Sequence, residues 1–343
     1  METPQPIVTF VVPSYNAADY LERSVSSILA APGDFEVLIV DDGSQDDTLA
    51  LARRLAEQDG RVRVIAQSNA NWGGVVNHAI SLARGTYFKI VDADDHVDPE
   101  AVGQVLARLT EQRDRGELPD LVVTNYVYDR VSDQSQHTIS YRGYFPEGRV
   151  AAWKDLGRPN TDQIIMVHAS WFRTELLRDV ALVQLPEGIS YTDSLLVLQS
   201  VPYVRTVLYL DLDVYYYLIG RVGQSVDVEM VVKNIDQQLY VTERAIELVD
   251  YEELHKKEPR QAQVMLRYLS CMMSICTIYL FMDGSPGAIE KNRQIWARMR
   301  QISPWLTRKI SWTKAGLANR HTRAGRWTAV QVYGIVQNIF KFA

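Results

Sequence analysis

The chain has little cysteine and no long uninterrupted apolar segment. Only Cys271 and Cys276 occur among 343 residues, which excludes a disulfide-rich scaffold and a zinc site built from thiolates. Because both lie in an apolar run, we expect buried thiols of a reducing compartment. The longest run without a charged residue or histidine is the fifteen residues 268–282. A membrane-spanning helix needs roughly 18 residues, so we expect a buried core helix there.

The N-terminal sequence has no basic segment and only a short apolar stretch, so we expect no secretory signal. Apolar residues make up 47% of the chain and charged residues 23%, which is ordinary for a soluble globular protein and excludes a disordered, collagen-like or polytopic membrane chain. A length of 343 residues accommodates one large α/β domain with an appendage, or two domains.

Residues 291–343 lack acidic side chains altogether. They contain eleven Lys or Arg residues and carry a charge of +11, whereas the rest of the chain has 25 basic and 42 acidic residues. Apolar residues recur at helical spacing from Val332 to Phe340, which predicts an amphipathic cationic helix. Three interpretations are open: the helix packs on the body with its basic face in water, lies on an anionic membrane, or binds an anionic polymer. We expect no nucleic-acid binding, because no recognised module accompanies the charge.

Apolar runs and amphipathic stretches alternate over the first 130 residues. The pattern predicts five strands and four helices: strands at 7–12, 35–40, 61–66, 86–91 and 121–127, and helices at 20–30, 46–55, 75–84 and 99–113. Such alternation favours an α/β fold with a mostly parallel sheet and helices on both faces.

The pattern loosens after residue 130. We expect helices near 171–178 and at 193–200, strands at 204–210 and 214–218, and mostly helix from about residue 230, with breaks at 284–287 and near Pro304. The chain is therefore expected to consist of a catalytic domain at 1–228 and a helical region at 229–343.

Three loops follow predicted strands and should meet at the carboxyl edge of the sheet. One of them, Asp92–Asp95, holds three carboxylates in four positions. Their mutual repulsion is relieved by a cation, and hard oxygen ligands favour Mg²⁺ or Mn²⁺. On an extended chain Asp92 and Asp94 point the same way and can hold a metal directly or through water. The alternative is a solvated turn with helix-capping aspartates before Pro99.

The other two loops are Asp41–Ser44 and Pro13–Asn16. A carboxylate of the first can accept hydrogen bonds from a base or a ribose, although an Asx turn with a helix cap is the alternative. In the second, the backbone and the Tyr15 ring can wall a flat pocket for a base, and a plain turn is the alternative.

Five motifs occur in the order and spacing typical of one enzyme family: Val12–Asn16, Val40–Ser44, Asn71 with Gly73, Gly74 and Asn77, Ala83–Tyr87, and Asp92–Asp95. The chain thereby resembles the family 2 glycosyltransferases, whose fold is called GT-A. The resemblance is strong over residues 6–130 and visible to about residue 226. The later segments 187–193 and 215–225 look like the subgroup that extends or decorates bacterial surface polymers, including wall teichoic acid glycosyltransferases.

The resemblance implies roles for individual residues. Asp193 matches the catalytic base, Asp94 would bind the metal that bridges the diphosphate, and Asp92 would lie near the ribose, the donor sugar and that metal. The remaining positions implied to bind the nucleotide sugar are Pro13, Tyr15, Asp42 (through the uracil), Asn71, Ala93 and Arg221. The implied cofactor is Mn²⁺ or Mg²⁺, the donor a UDP-sugar, and the acceptor a bacterial cell-surface glycan or polymer precursor.

Two departures from the family pattern bear on function. Many relatives carry a glutamate directly before the catalytic aspartate, whereas this chain has Thr192. The Gln-x-x-Arg-Trp motif of processive members is absent from the expected region. We therefore expect one or a few sugar additions per acceptor.

General chemistry assigns the same roles to these residues without reference to the family. A carboxylate can take the proton of an acceptor hydroxyl, and a divalent cation stabilises a nucleoside diphosphate leaving group. One base on the face opposite the leaving group predicts inversion at the anomeric carbon. Asp193 is the candidate base, with a helix N-cap as the alternative role. Arg221 can contact the diphosphate or a charged acceptor, or simply lie at the surface.

His168, His96 and the tyrosines at 215–217 are interpreted as structural. Two other functions remain open. A nucleotidyltransferase would need a glycine-rich, lysine-bearing loop after the first strand, where this chain has Pro13–Asn16. A degenerate transferase that only binds glycan would not need Asp42, Asp92, Asp94 and Asp193. The expected location is the cytoplasm, peripheral at the inner face of the plasma membrane.

Overall fold

The computed structural model describes residues 5–220 and 228–340, without the side chains of residues 335–340. The chain separates into two compact units, one ending at Leu218 and the other beginning at Ile219. The boundary predicted from the sequence, between residues 228 and 229, lies further along the chain.

The first unit is built on a sheet whose strands lie in the order β3-β2-β1-β4-β9-β6-β10-β5, with β7 beside β6 and β8 beside β10. The strands are β1 (Val8–Ser14), β2 (Phe35–Asp41), β3 (Val62–Ala66), β4 (Tyr87–Ile90), β5 (His96–Val97), β6 (Leu121–Arg130), β7 (Gln136–Ile139), β8 (Val150–Ala152), β9 (Ser170–Arg173) and β10 (Thr206–Ile219).

The first four strands in this order, β3, β2, β1 and β4, run parallel to one another. Every residue of β2 is buried, and β1 is buried except at Pro13. Such strands read as continuous apolar runs because helices cover both faces of a parallel sheet. The predicted α/β class is confirmed, and the boundaries of these four strands agree with the sequence pattern to within two residues.

The rest of the sheet is antiparallel, so the sheet as a whole is mixed. Strand β9 pairs antiparallel with both β4 and β6. The helix predicted near 171–178 is therefore wrong in its first half and confirmed in its second: residues 170–173 are a strand, whereas residues 174–180 are helical, with a π-helical turn at Leu176–Val180. Trp171 and Phe172 are buried between two strands, and this tertiary pairing overrides the local pattern. The two strands predicted at 204–210 and 214–218 are one continuous strand, β10.

Five α-helices belong to the first unit: α1 (Leu21–Leu29), α2 (Thr48–Gln58), α3 (Asn71–Leu82), α4 (Pro99–Arg115) and α5 (Asp193–Ser200). Helix α4 shows why the sequence predicts these elements well. The Asp98 side chain accepts a hydrogen bond from the Ala101 N–H at 2.7 Å, Pro99 occupies the first turn, and Gly116 ends the helix in the left-handed conformation.

The second unit is helical, as predicted: α6 (Val228–Lys233), α7 (Ile235–Glu247), α8 (Tyr251–Lys257), α9 (Pro259–Asp283), α10 (Pro286–Ile302), α11 (Pro304–Ser311), α12 (Lys314–Ala318) and α13 (Arg323–Phe340). The breaks fall where the sequence places them. Helix α9 ends at the left-handed Gly284, and α10 and α11 each begin with a proline after a capping serine.

Helix α9 is the central helix of this unit and directly contacts each of the other seven helices described for it. By length and composition alone it could cross a membrane, with a mean hydropathy of 1.6 over its most apolar window. However, 72% of that window is buried inside the protein. Both cysteine thiols lie on this helix and neither forms a disulfide. Helix α9 thus has the burial expected of a core helix.

Candidate active site

The loops that follow β1 and β2 are joined by direct hydrogen bonds. Ser14 lies opposite Asp41 in the register of the two strands, and the Asp42 N–H donates to the Ser14 carbonyl at 2.8 Å. The Asn16 N–H donates to Ser44 Oγ at 3.0 Å. The sequence expectation that these loops meet at one edge of the sheet is confirmed, because parallel strands deliver their carboxyl ends to the same side.

Asp42 links this pair of loops to the start of α3. Its carboxylate is buried, and Oδ1 accepts hydrogen bonds from Gln67 Nε2 at 2.8 Å and from the Ala70 N–H at 2.9 Å. Tyr15 follows Ser14 in the neighbouring loop after β1, to which Asp42 is joined through its N–H, and about half of the Tyr15 surface is exposed (51%). A fixed carboxylate near an exposed ring is an arrangement that can receive a flat polar ligand.

Helix α3 begins at Asn71, four residues before the predicted start at residue 75. Asn71 has a φ of 58°, a left-handed conformation that asparagine tolerates better than most residues. The next residue, Trp72, donates its indole N–H to Asp92 Oδ1 at 2.9 Å. The early start of α3 therefore connects the second loop to the acidic loop after β4.

The acidic loop alternates in exposure. Asp92 and Asp94 are partly exposed, whereas Ala93 and Asp95 are buried. The loop is a turn, in which the Asp95 N–H donates to the Asp92 carbonyl at 3.0 Å, and not the extended chain that the sequence argument assumed. Asp95 is held inward, where its carboxylate accepts hydrogen bonds from the Tyr215 hydroxyl and the Leu218 N–H. Burial, reinforced by the charge of Asp92, raises the pKa of Asp95 well above its usual range.

Asp92, Asp95 and His168 form a group whose potential ligand atoms all lie within 4.8 Å of one another. The His168 Nε2 is 3.9 Å from Asp92 Oδ2. Both oxygens of Asp95 already accept hydrogen bonds from the protein, so Asp92 and His168 are the freer donors of the three. Carboxylate oxygens are the ligands that Mn²⁺ and Mg²⁺ prefer, and the carboxylates present therefore fit the implied cofactor.

His168 was interpreted from the sequence as structural, and the structure brings it into the site. It is buried, with its ring stacked on Tyr217 at 4.5 Å between centroids and edge-on to Tyr215 at 4.9 Å. Burial, helped by the charge of Lys89, lowers its pKa to about 3, so the imidazole is neutral at physiological pH. Its Nδ1 is buried without a hydrogen-bond partner among the described residues.

Lys89 is a site residue that sequence reasoning missed. It lies on β4, is fully buried, and donates through Nζ to the His168 carbonyl. The rings of Trp171 and Tyr215 flank it at 5.3 and 5.0 Å. Burial lowers its pKa to about 7, against the opposing influence of Asp92. A lysine inside an apolar strand was the available signal, since buried lysines are rare unless paired.

Asp193 is the first residue of α5, and Thr192 is the N-cap, so Asp193 lies inside the first turn. Burial raises the pKa of Asp193 to about 6, and the negative charge of Asp92 contributes in the same direction. Asp92, which is 101 residues earlier in the chain, thus affects the titration of Asp193. Thr192 is buried, and its hydroxyl has no partner in the part of the chain that the structure describes.

The loop that leads to Asp193 is attached to α3. The side-chain amide of Asn77 donates to the Leu185 carbonyl at 2.9 Å and its oxygen accepts from the Leu185 N–H at 2.8 Å. The Gly188 N–H donates to the Ala70 carbonyl at 2.8 Å. Helix α3 thus contacts Asp42 through the residue before its first turn, Asp92 through Trp72, and the Asp193 loop through Asn77.

Three further positions from the sequence analysis remain, two interpreted as structural and one as a binding residue. Tyr215 is a buried sheet residue, as interpreted, and His96 lies on β5, stacked on Tyr216 and in contact with Arg23 rather than in a turn. Arg221 lies outside the described residues, so its predicted role stays a prediction.

Three kinds of comparison place this site among known proteins. Residues 9–177 match the family model described as glycosyl transferase family 2. The chain is 33% identical over 169 residues to the uncharacterized glycosyltransferase EpsJ of Bacillus subtilis, covering 49% of this chain and 45% of EpsJ. It is 31% identical over 159 residues to a chondroitin synthase of Pasteurella multocida, covering 43% of this chain and 16% of that protein. The match thus spans less than half of either relative.

Solved structures resemble nearly the whole chain. A crystal structure of Staphylococcus aureus TarS, residues 1–349, in complex with UDP-GlcNAc has a TM-score of 0.67 at 18% identity, covering 94% of this chain and 89% of that one. A mannosyltransferase from Pyrobaculum calidifontis, in complex with GDP-Man and Mn²⁺, has a TM-score of 0.54 at 16% identity, covering 99% of this chain and 89% of that one. At these identities the likeness establishes the fold, and the GT-A expectation is confirmed.

Proposed function

We propose that this protein transfers a sugar from a UDP-sugar to a hydroxyl group of a bacterial cell-surface glycan or polymer precursor. The match of residues 9–177 to glycosyl transferase family 2 supports this proposal. The observation that supports this function most directly is that α3 contacts Asp92, through Trp72, and the loop before Asp193, through Asn77. A base and a donor-binding carboxylate in one site are what such a transfer requires.

The nucleotide is assigned to the loops after β1 and β2. In this proposal Pro13 and Tyr15 flank the base, and Asp42 accepts a hydrogen bond from the uracil in addition to its two protein donors. Asn71, Ala93 and Arg221 complete the nucleotide-sugar contacts. The choice of a UDP-sugar is supported by the structural neighbour TarS, which was crystallised with UDP-GlcNAc.

Asp193 is proposed as the general base. Its raised pKa of about 6 leaves most of the carboxylate ionised near neutral pH, yet makes it a better proton acceptor than an exposed aspartate. The carboxylate takes the proton from the acceptor hydroxyl, whose oxygen forms the new bond to the anomeric carbon as the bond to the diphosphate breaks. With one base acting opposite the leaving group, the configuration at that carbon is inverted.

A divalent cation is proposed at Asp94 and Asp92, with Mn²⁺ or Mg²⁺ as the candidates. When bound, such an ion supplies positive charge that stabilises the diphosphate leaving group. The neutral imidazole of His168, 3.9 Å from Asp92, adds no competing positive charge beside it. Trp72 and the Tyr215 hydroxyl hold Asp92 from its side chain and its backbone N–H, respectively, so the carboxylate is oriented before any ligand arrives.

The test is UDP release from a panel of UDP-sugars, with Mn²⁺ or Mg²⁺ and then with excess chelator. We expect release that depends on the metal, and an Asp193→Asn variant that retains UDP binding but turns over about 10²–10⁴-fold more slowly, since it lacks the base. An Asp94→Ala variant should lose the metal dependence together with most of the activity.

The exposed carboxylate Asp179 provides the matched control, because Asp179→Asn removes one negative charge from the surface of the same unit. Its UDP release should equal that of the unchanged protein. Nucleotide binding without turnover would instead favour a glycan-binding scaffold, and release of pyrophosphate would favour a nucleotidyltransferase. The pyrophosphate assay is run separately with UTP and a sugar 1-phosphate, because a UDP-sugar cannot release pyrophosphate. Either result would overturn the proposed function.

The proposed location is the cytoplasm, with the protein peripheral at the inner face of the plasma membrane. The basic residues 291–343 are the segment proposed to contact that membrane.

A further inference from the structure

Helices α11 to α13 expose large apolar side chains to an unusual degree. Trp312 is 84% exposed and Trp327 is 66% exposed, and Leu317 and Val332 are each more than half exposed. These four residues, together with the basic residues between positions 308 and 326, are called the Trp312 surface below. Exposed tryptophans in such a group mark an interaction site, because water does not solvate their rings well.

The underlying helices are anchored, so this exposure is not the result of a detached segment. Leu306 and Ile310 of α11 and Ala315 of α12 are fully buried. The Ser270 hydroxyl on α9 donates to Thr313 Oγ1 at 2.7 Å, and the hydroxyls of Tyr279 and Tyr333 lie 3.0 Å apart. One side of these helices therefore packs on α9, and the Trp312 surface is what the packing leaves outside.

Positive charge accompanies the exposed rings and is not neutralised. Upstream, Lys291, Arg293 and Arg298 each form an ion pair with a carboxylate. From α11 onward, none of the basic residues has an acidic partner within 4.0 Å in the described chain, and all of them are exposed or partly exposed: Arg308, Lys309, Lys314, Arg320, Arg323 and Arg326. The Trp312 surface thus combines six cations that lack an acidic partner with four apolar side chains.

We propose that the Trp312 surface binds the face of a bilayer that contains anionic phospholipid. Tryptophan and leucine insert among headgroups and acyl chains, while lysine and arginine pair with lipid phosphates. A soluble polyanion would use the cations and leave the tryptophans in water. A second copy of the chain would bring six like charges against six. An anionic bilayer is the partner that satisfies both sets of side chains.

This inference identifies the residues and the lipid class behind the location given above, and it rests on the proposed function only for that location. It is tested by sedimentation of the full chain with vesicles of phosphatidylcholine alone or of phosphatidylcholine with phosphatidylglycerol, in the absence of nucleotide sugar. Because no transfer reaction is measured, failure here and failure of the transferase proposal are distinguishable.

We expect binding only to the vesicles that contain phosphatidylglycerol, weakening as salt is added. An Arg308→Glu/Lys309→Glu variant should bind about tenfold more weakly or worse, since each basic residue near an anionic surface contributes to binding. The matched control is Arg53→Glu/Arg54→Glu, which reverses two adjacent exposed arginines on α2 and should bind as the unchanged protein does.

A second variant separates lipid from polymer. Trp312→Ser/Trp327→Ser removes the exposed rings without changing charge, and we expect it to bind the anionic vesicles at least about fivefold more weakly. It should bind inorganic polyphosphate as the unchanged protein does. Equal vesicle binding by this variant, or equal loss in the control on α2, would overturn the assignment to a bilayer, and circular dichroism of each variant establishes that it is folded.

Discussion

The surroundings of Asp193 set the pKa of the proposed base. Burial is the main reason that the pKa of Asp193 rises to about 6, with Asp92 adding to it. A raised carboxylate pKa means that the proton is held at higher pH than on an exposed aspartate. The base is therefore inactive in the acid range and becomes available as the pH passes about 6.

The rate of sugar transfer should follow the ionisation of Asp193. We expect kcat/KM for sugar transfer to rise about tenfold per pH unit below about pH 6 and to level off above it, because only ionised Asp193 accepts the acceptor proton. The measurement is the pH profile at saturating metal, corrected for any acid inactivation. Asp179→Asn should give the same profile, and an inflection near the ordinary aspartate pKa of about 4 would contradict the effect of burial.

The contacts that bring Lys89, Trp72 and His168 into the site could not be predicted from local sequence. Lys89 lies in a strand-like run, and its importance follows from the carbonyl and rings that surround it. Trp72 reaches Asp92 only because α3 begins early, and His168 reaches it from a segment 76 residues further along the chain. In each case the partner is distant in sequence, so spacing contains no signal of the contact.

At the scale of elements, α3 is the part that joins the loops of the site. Its first turn lies against the loop before α5, and Gly73 is the point of closest approach. A Cβ at Gly73 would lie 2.3 Å from the Pro186 carbonyl and 3.1 Å from Thr192 Oγ1. Because the carbonyl is backbone, the loop itself would have to move, and Asp193 with it.

A Gly73→Ala variant should therefore lose activity as well as stability. We expect a free energy of unfolding lower by about 1–3 kcal/mol, the usual consequence of overpacking, and a fall in kcat larger than the rise in KM for the donor. Denaturant unfolding and steady-state kinetics measure the two effects. Gly60→Ala is the control, since a Cβ there meets nothing within 4 Å, and a fully active Gly73→Ala would disprove the coupling.

At the scale of the whole molecule, the chain consists of an α/β unit that holds the site and a helical unit that contains the Trp312 surface. The basic segment 291–343 is not an appended tail, because it supplies core residues of the helical unit. Trp296 and Met299 on α10 and Leu306 and Ile310 on α11 are all buried. Removal of this segment would expose the apolar face of α9.

A chain ending at residue 290 should accordingly fail to form a stable second unit. Four buried side chains of this size contribute roughly 6–12 kcal/mol together, which is comparable to the entire stability of a domain. We expect loss of cooperative unfolding and of amide exchange protection in α9, measured by calorimetry and hydrogen exchange. Retention of α9 protection at the level of the full chain would contradict this. Membrane binding is therefore better tested by surface substitutions than by truncation.

The sequence by itself determined the α/β class, the four parallel strands, the helical C-terminal region and the three loops that meet at one edge. These follow from periodicity, caps and strand ends, which are local properties of the chain. Only the tertiary structure decided that 170–173 is a strand, that Lys89, Trp72 and His168 belong to the site, and that Asp95 faces inward while Asp92 and Asp94 remain accessible. Those facts depend on which distant segments pack together, and burial and pairing between them outweigh local preference.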